Sequence, residues 1–175
     1  MITITDNGYL QPMIHRSLMF LGLLALCALP AHALAHNDAH PATADSTVAD
    51  QAKPALDVVE RFSTALRSGD LQGAGALLAD DVLILESGGA EHSRDEYLAG
   101  HAIHDAAFLK DAHVQVLRRT ARAEGDLAWI GTESELHASK DGKAMALSST
   151  ETMVLKHTPQ GWRIVHIHWS SKPKR

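Results

Sequence analysis

The sequence predicts an α+β domain in which three helices precede a strongly curved antiparallel sheet, and two observations carry that prediction. Up to about Lys110, apolar residues recur at helical spacing between helix caps. From His113 onward, four long runs of alternating residues are separated by hairpin signals. A chain of 175 residues, 45% of them hydrophobic, is enough for one domain with its own core. The net charge of −5 provides no basic field, which argues against a nucleic-acid partner. Twelve histidines are the one compositional anomaly.

The N-terminus reads as a secretory signal peptide over residues 1–35. Met13-Ile14-His15-Arg16 is a short basic start, Leu18 to Leu29 an apolar run too short to span a bilayer, and Ala31-His32-Ala33 or Ala33-Leu34-Ala35 a small-residue cleavage site. Residues Met1 to Pro12 fit no signal architecture, so the functional start is expected at Met13. The mature protein is then periplasmic or secreted, with no membrane association after cleavage. The only cysteine, Cys27, lies in the removed segment, so disulfides and thiolate ligands are excluded and any metal must use imidazole, carboxylate or thioether groups. Residues 36–53, HNDAHPATADSTVADQAK, are small, polar and without period, as in a flexible leader. Cleavage after Ala35 would make His36 the N-terminal residue, whose amine and imidazole can chelate Cu(II) with His40 nearby; a tail that happens to carry two histidines is the plainer reading.

The folded domain is expected over 54–171, with 172–175 a basic tail. Leu56, Val59, Phe62, Ala65 and Leu66 define a first helix with Pro54 in its first turn, where the missing N–H is tolerated. Ser68-Gly69-Asp70 ends it and caps a second over Leu71 to Leu78. Val82 to Glu86 is a strand, turned back at Ser87-Gly88-Gly89 through Ala90-Glu91-His92. Glu86 shares a strand face with Val82 and Ile84, and points inward if those two, rather than Leu83 and Leu85, are the core pair. Ser93-Arg94-Asp95-Glu96 is a capping box opening a third helix to about Lys110. On it Tyr97, His101, His104 and Phe108 fall in one stripe, and imidazoles at i and i+3 can share a metal ion; partial exposure of both is the equal alternative.

The sheet follows as His113 to Ala123, Leu127 to Ser139, Met145 to His157 and Trp162 to Ser170, a meander. Strands of this length curl, and the helices can fill the concave side. Glu133 and Glu135 share a face with Trp129, and Ser149, Glu151 and Met153 share another, with either able to face outward. Strict alternation along the last run, GWRIVHIHWSS, puts Trp162, Ile164, His166 and His168 on one face and Arg163, Val165, Ile167 and Trp169 on the other.

The element order, the passage RSGDLQGAGALLADDVLILES (Arg67 to Ser87) and the closing strand resemble the nuclear transport factor 2-like superfamily, above all the SnoaL-like proteins and a related bacterial domain found in exported proteins. The resemblance covers Ala55 to Ser171. It implies a cone-shaped, cystatin-like roll with a pocket at its open end and, often, dimerisation through the open sheet face. It places His166 and His168 inside the cone with His101 and His104 opposite. Ketosteroid-isomerase-like members use a tyrosine and acidic residues; here the mature chain offers only Tyr97, and no acidic pair in the sequence matches that pattern.

Three functions follow. A divalent transition metal, Cu(II) or Zn(II), could be held by His101, His104, His166 and His168 with Glu86, Glu91 or His92 near the mouth, and an open position would allow a metal-activated water. Alternatively, a metal-independent isomerase, cyclase or hydrolase, or a ligand-binding protein, could use His166, His168 or Tyr97 in proton transfer, with Trp129, Met153, Phe108 and Ile164 lining an organic ligand's pocket. A non-catalytic homodimerisation module is the third. No organic cofactor is indicated.

Overall fold

The structure, a computed structural model, describes residues 46–140 and 143–174. The expected signal peptide, its cleavage site, Met13, Cys27, His36 and His40 lie outside the described residues.

Ordered structure begins earlier than Pro54. Strand β1 (Thr47–Val48) pairs in parallel with a later strand, and a 3-10 turn (Asp50–Ala52) leads into α1 (Lys53–Ser68), burying Ala52 completely. The end of the expected leader is therefore part of the fold. Helix α1 buries Ala55, Val58, Val59, Phe62 and Leu66; of the predicted stripe Val59, Phe62 and Leu66 are in the core, whereas Leu56 and Ala65 are only half-buried and Ala55 and Val58 take the inner positions. It ends at Gly69, whose φ of 77° is a left-handed conformation natural to glycine, with the Asp70 N–H donating to the Ala65 carbonyl at 2.9 Å. Asp70 then caps α2 (Leu71–Gly75), accepting from the Gly73 N–H at 2.8 Å. This helix stops short of the predicted Leu78, because Leu78 begins β2 (Leu78–Glu86).

A hairpin joins β2 to the short β3 (Gly89–Glu91), and Ser93 caps α3 (Arg94–Ala99) by accepting from the Glu96 N–H at 3.1 Å. Glu96 reaches back to the N–H of His92 rather than to that of Ser93. The expected long helix is two: Gly100, at φ −127° and ψ −100°, breaks the path before α4 (His101–Lys110). Tyr97 consequently leaves the stripe and is fully buried, whereas His101 and His104 are exposed.

The meander forms as β4 (His113–Glu124), β5 (Leu127–Lys140), β6 (Lys143–Thr158) and β7 (Gly161–Pro173), and β2 joins β7 in parallel. The seven-stranded order is β1-β4-β5-β6-β7-β2-β3. Its inner face presents Val82 and Ile84, Ala121, Ala128 and Ile130, Met153 and Leu155, and Ile164 and Ile167, which form one buried cluster with the α1 stripe. Each large side chain so buried contributes roughly 1.5–3 kcal/mol. Val82 and Ile84 being the core pair, Glu86 points inward with them.

Besides a register shift between Leu78 and Leu83 where β2 joins β7, two bulges in the meander correct the alternation. On β4 the register shifts between Val116 and Arg118, leaving Leu117 without a partner. On β7, Val154 pairs with His166 but the next residue of β6, Leu155, pairs with Ile164, so Val165 is the extra residue. A bulge exchanges the two faces of a strand. Ile164, Ile167 and Trp169 therefore share the inner side, and His166 and His168, expected inside, lie on the outer one.

Candidate active site

Between α1, α4 and the concave face lies a cavity of about 460 Å³, within the range of roughly 300–1,000 Å³ usual for small-molecule sites. Phe62, Leu109, Val116 and Leu136 give it apolar walls, and two acidic centres face it from different elements.

The first centre joins Asp105 of α4 and Glu86 at the end of β2, both cavity-lining. Behind them the Tyr97 hydroxyl donates to Asp105 Oδ2 at 3.0 Å. Burial pushes both carboxyls above the ordinary carboxylate range; the charge of Asp105 adds to the shift at Glu86, and the tyrosine hydrogen bond opposes that at Asp105. Burial, and then the charge of Asp105, raise Tyr97 far above the usual phenol range, so it remains a neutral donor. Its ring is held by Trp169, with centroids 6.3 Å apart, and Trp169 stacks in turn on Phe62 at 6.5 Å.

The second centre sits on the sheet. Glu151 accepts from Trp169 Nε1 at 2.6 Å, and burial pushes its carboxyl up against the opposing effects of that bond and of Arg119. Arg119 donates to Thr132 Oγ1 at 3.3 Å and to Glu60 at 2.9 Å. Carboxyls that burial holds above their ordinary values, facing one cavity from two elements, can take or give a proton, which is what acid–base chemistry on a small molecule requires.

The sequence-predicted ligands do not converge. His101 and the buried Glu91 are in contact beside Glu86, with Asp105 one helical turn beyond His101. His92 and His104 are exposed. His166 donates from Nδ1 to the Leu83 carbonyl at 2.9 Å on the outer face, and His168 is exposed there. Among the described residues no group of three or more His, Cys, Asp or Glu is arranged to hold a metal ion. Of the expected pocket-lining residues only Phe108 lines the cavity: Trp129 is 44% exposed on the outer face and Met153 is wholly in the core. Glu133 and Glu135 share the outer face with Trp129. Asp105, Arg119 and Trp169 were not singled out for the site from sequence. The available signal was Asp105, a lone acid in the alanine-rich helix, four residues after His101 and eight after Tyr97.

Residues 55–173 match the family model described as the SnoaL-like domain. None of the curated proteins compared matches the chain. Among solved structures, a candidate ketosteroid isomerase from Shewanella frigidimarina is 31% identical, the alignment covering 71% of this chain and 99% of that one with a TM-score of 0.64. A nuclear transport factor 2-like protein with a cystatin-like fold from Novosphingobium aromaticivorans is 20% identical, covering 67% and 79% at a TM-score of 0.57. A candidate dehydratase of the same fold family from Streptomyces avermitilis is 17% identical, covering 69% and 95% at 0.59; these last two likenesses speak for the fold alone. The cavity, the curved sheet and the match over nearly all of the described residues make this chain a member of the SnoaL-like family, with the nuclear transport factor 2-like fold.

Proposed function

We propose that this protein is a metal-independent enzyme that moves a proton on a small organic molecule, an isomerase or dehydratase by reaction class, with Asp105 and Glu86 as its acid–base pair. The observation that carries the reading is the Tyr97 hydroxyl bound to Asp105 at 3.0 Å behind a cavity that Asp105 and Glu86 both line. A substrate carbonyl acidifies the neighbouring C–H. One carboxylate takes that proton, and a protonated carboxyl, Glu151 being suited by its burial, donates a hydrogen bond to the oxygen on which charge develops. The mixed lining, apolar at Phe62, Leu109 and Leu136 and polar at Ser63, Ser134 and Ser149, suits a small organic substrate that carries polar groups beside its hydrocarbon. The Shewanella frigidimarina relative, a candidate ketosteroid isomerase, fits this class. The basic start, apolar run and A-x-A site of the N-terminal sequence support export, and Leu83, Leu127 and Trp129, exposed outside the cavity, support association with a second copy.

The test is conversion of the β,γ-enone 3-cyclohexen-1-one, and of a steroid-sized β,γ-enone, to the conjugated ketone, followed by ultraviolet absorbance. Wild type is expected to accelerate at least one of them, and Asp105→Asn to lower that rate by about 100-fold or more. No acceleration by wild type, or equal rates for wild type, Asp105→Asn and Glu86→Gln, would overturn the proposal.

A further inference from the structure

We propose that His101, clamped by the buried carboxylate of Glu91, is a proton shuttle between the cavity acids Asp105 and Glu86 and the solvent. The inference rests on the proton-transfer reading above and deepens it, giving the site a route for exchanging its proton.

Glu91 is 6% exposed and sits on β3 opposite Ile84, on the inner side of the sheet. Its Oε1 meets His101 Nδ1, while its Oε2 is buried with no partner among the described residues. A buried carboxylate with a single partner holds that partner firmly: Nδ1–H donates to Glu91, and the lone pair is left on Nε2. Half of the His101 side chain is open to solvent. The ring also lies against Gly89, whose backbone pairs with Glu86, and its helix carries Asp105 one turn further on. One imidazole thus stands one helical turn from Asp105 and near the Gly89–Glu86 pairing, and keeps access to water. The groups that face it are Glu91 from β3, Glu86 from β2, Asp105 and His104 from its own helix, and Tyr97 from α3 through Asp105. The contact with Glu91 raises the His101 pKa, and the charges of Asp105 and Glu86 add to it.

The steps balance. After Asp105 has taken a substrate proton, its O–H bond breaks as Nε2–H forms, directly or through a water molecule, leaving an imidazolium beside the Glu91 carboxylate. Nε2–H then passes to water or buffer and the neutral tautomer returns; the reverse sequence delivers a solvent proton to the cavity. His101 touches no substrate in this scheme and acts through Asp105 and Glu86 as a positioning and relay residue.

The experiment has two arms. The first needs no substrate: ¹⁵N NMR of the histidine side chains across pH in wild type, His101→Asn (which assigns the resonance), Glu91→Gln and Asp105→Asn. The Nδ1–H tautomer is expected in wild type and a mixture in Glu91→Gln, and the His101 titration is expected to move to lower pH in both Glu91→Gln and Asp105→Asn. The second runs the enone conversion in D₂O. His101→Asn, whose amide N–H can keep a donor to Glu91 while removing the titrating ring, is expected to keep KM and to lose solvent deuterium incorporation by about tenfold, with partial recovery on adding imidazole. A His101 titration that ignores Asp105→Asn, or unchanged deuterium incorporation in His101→Asn, would overturn the shuttle. A wild type inert towards the enones counts against the proposed reaction, and the NMR arm then decides the shuttle by itself.

Discussion

Tyr97→Phe isolates one atom of the site. The tyrosine ring is fully buried against Trp169, and phenylalanine keeps that packing while removing the hydroxyl that Asp105 accepts from at 3.0 Å. A hydrogen bond to a charged acceptor is worth about 1.5–3 kcal/mol, against about 0.5–1.5 kcal/mol for a neutral one. The Asp105 pKa already lies above the carboxylate range through burial, and loss of the hydroxyl raises it further. Below the unfolded-state pKa, Asp105 is protonated with or without Tyr97, and the variant loses only the neutral bond. As pH rises through the folded pKa the wild type ionises with its donor in place and the variant without it, so the stability gap widens towards neutral pH. For a domain of this size the full loss corresponds to a melting temperature lower by roughly 5–12 °C at pH 8, and by half of that or less at pH 4. Thermal melts at both pH values, with a ¹³C NMR titration of the Asp105 carboxyl, measure it. A gap independent of pH, or an Asp105 titration unmoved by Tyr97→Phe, would refute the coupling of these two residues and with it the basis of the acid–base assignment.

Glu151→Gln keeps an acceptor for Trp169 Nε1 and removes a carboxyl whose ionisation burial opposes. Because its folded pKa is raised, wild type loses stability as pH climbs from the unfolded to the folded value; the variant should lack this slope and melt higher than wild type at neutral pH but not at low pH, as differential scanning calorimetry will show. For export, intact-mass measurement on protein recovered from a periplasmic extract should give a chain beginning after Ala33 or Ala35, and an unprocessed mass there would contradict it.

The fold was legible because its signals are local. Capping residues Asp70 and Ser93, the α1 stripe and the hairpin turns each announce an element without reference to the rest of the chain. The site was less so, for two physical reasons. A β-bulge changes which side chains face inward without altering the residue types, so the alternation that grouped His166 and His168 with Ile164, on the face that the family resemblance turned inward, failed at Val165. Likewise Gly100 reads as tolerable within a helix, yet its break separates Tyr97 from His101 and turns the tyrosine into the core, where it meets Asp105 eight residues on. Glu86 was placed conditionally on Val82 and Ile84 being buried, and the sheet meets that condition. Glu151 carried no local mark: its role depends on Trp169, which strict alternation had put on the opposite face from Ile164 and which the same bulge returns to the cavity.

The most direct test of the central claim compares Asp105→Asn with the double variant His166→Ala/His168→Ala on the enone that wild type converts, at one pH and with folding checked by circular dichroism. If the cavity carboxyls move the proton, the double variant stays within about twofold of wild type and Asp105→Asn falls by about 100-fold or more. The reverse order, an inactive double variant beside an active Asp105→Asn, would contradict the account.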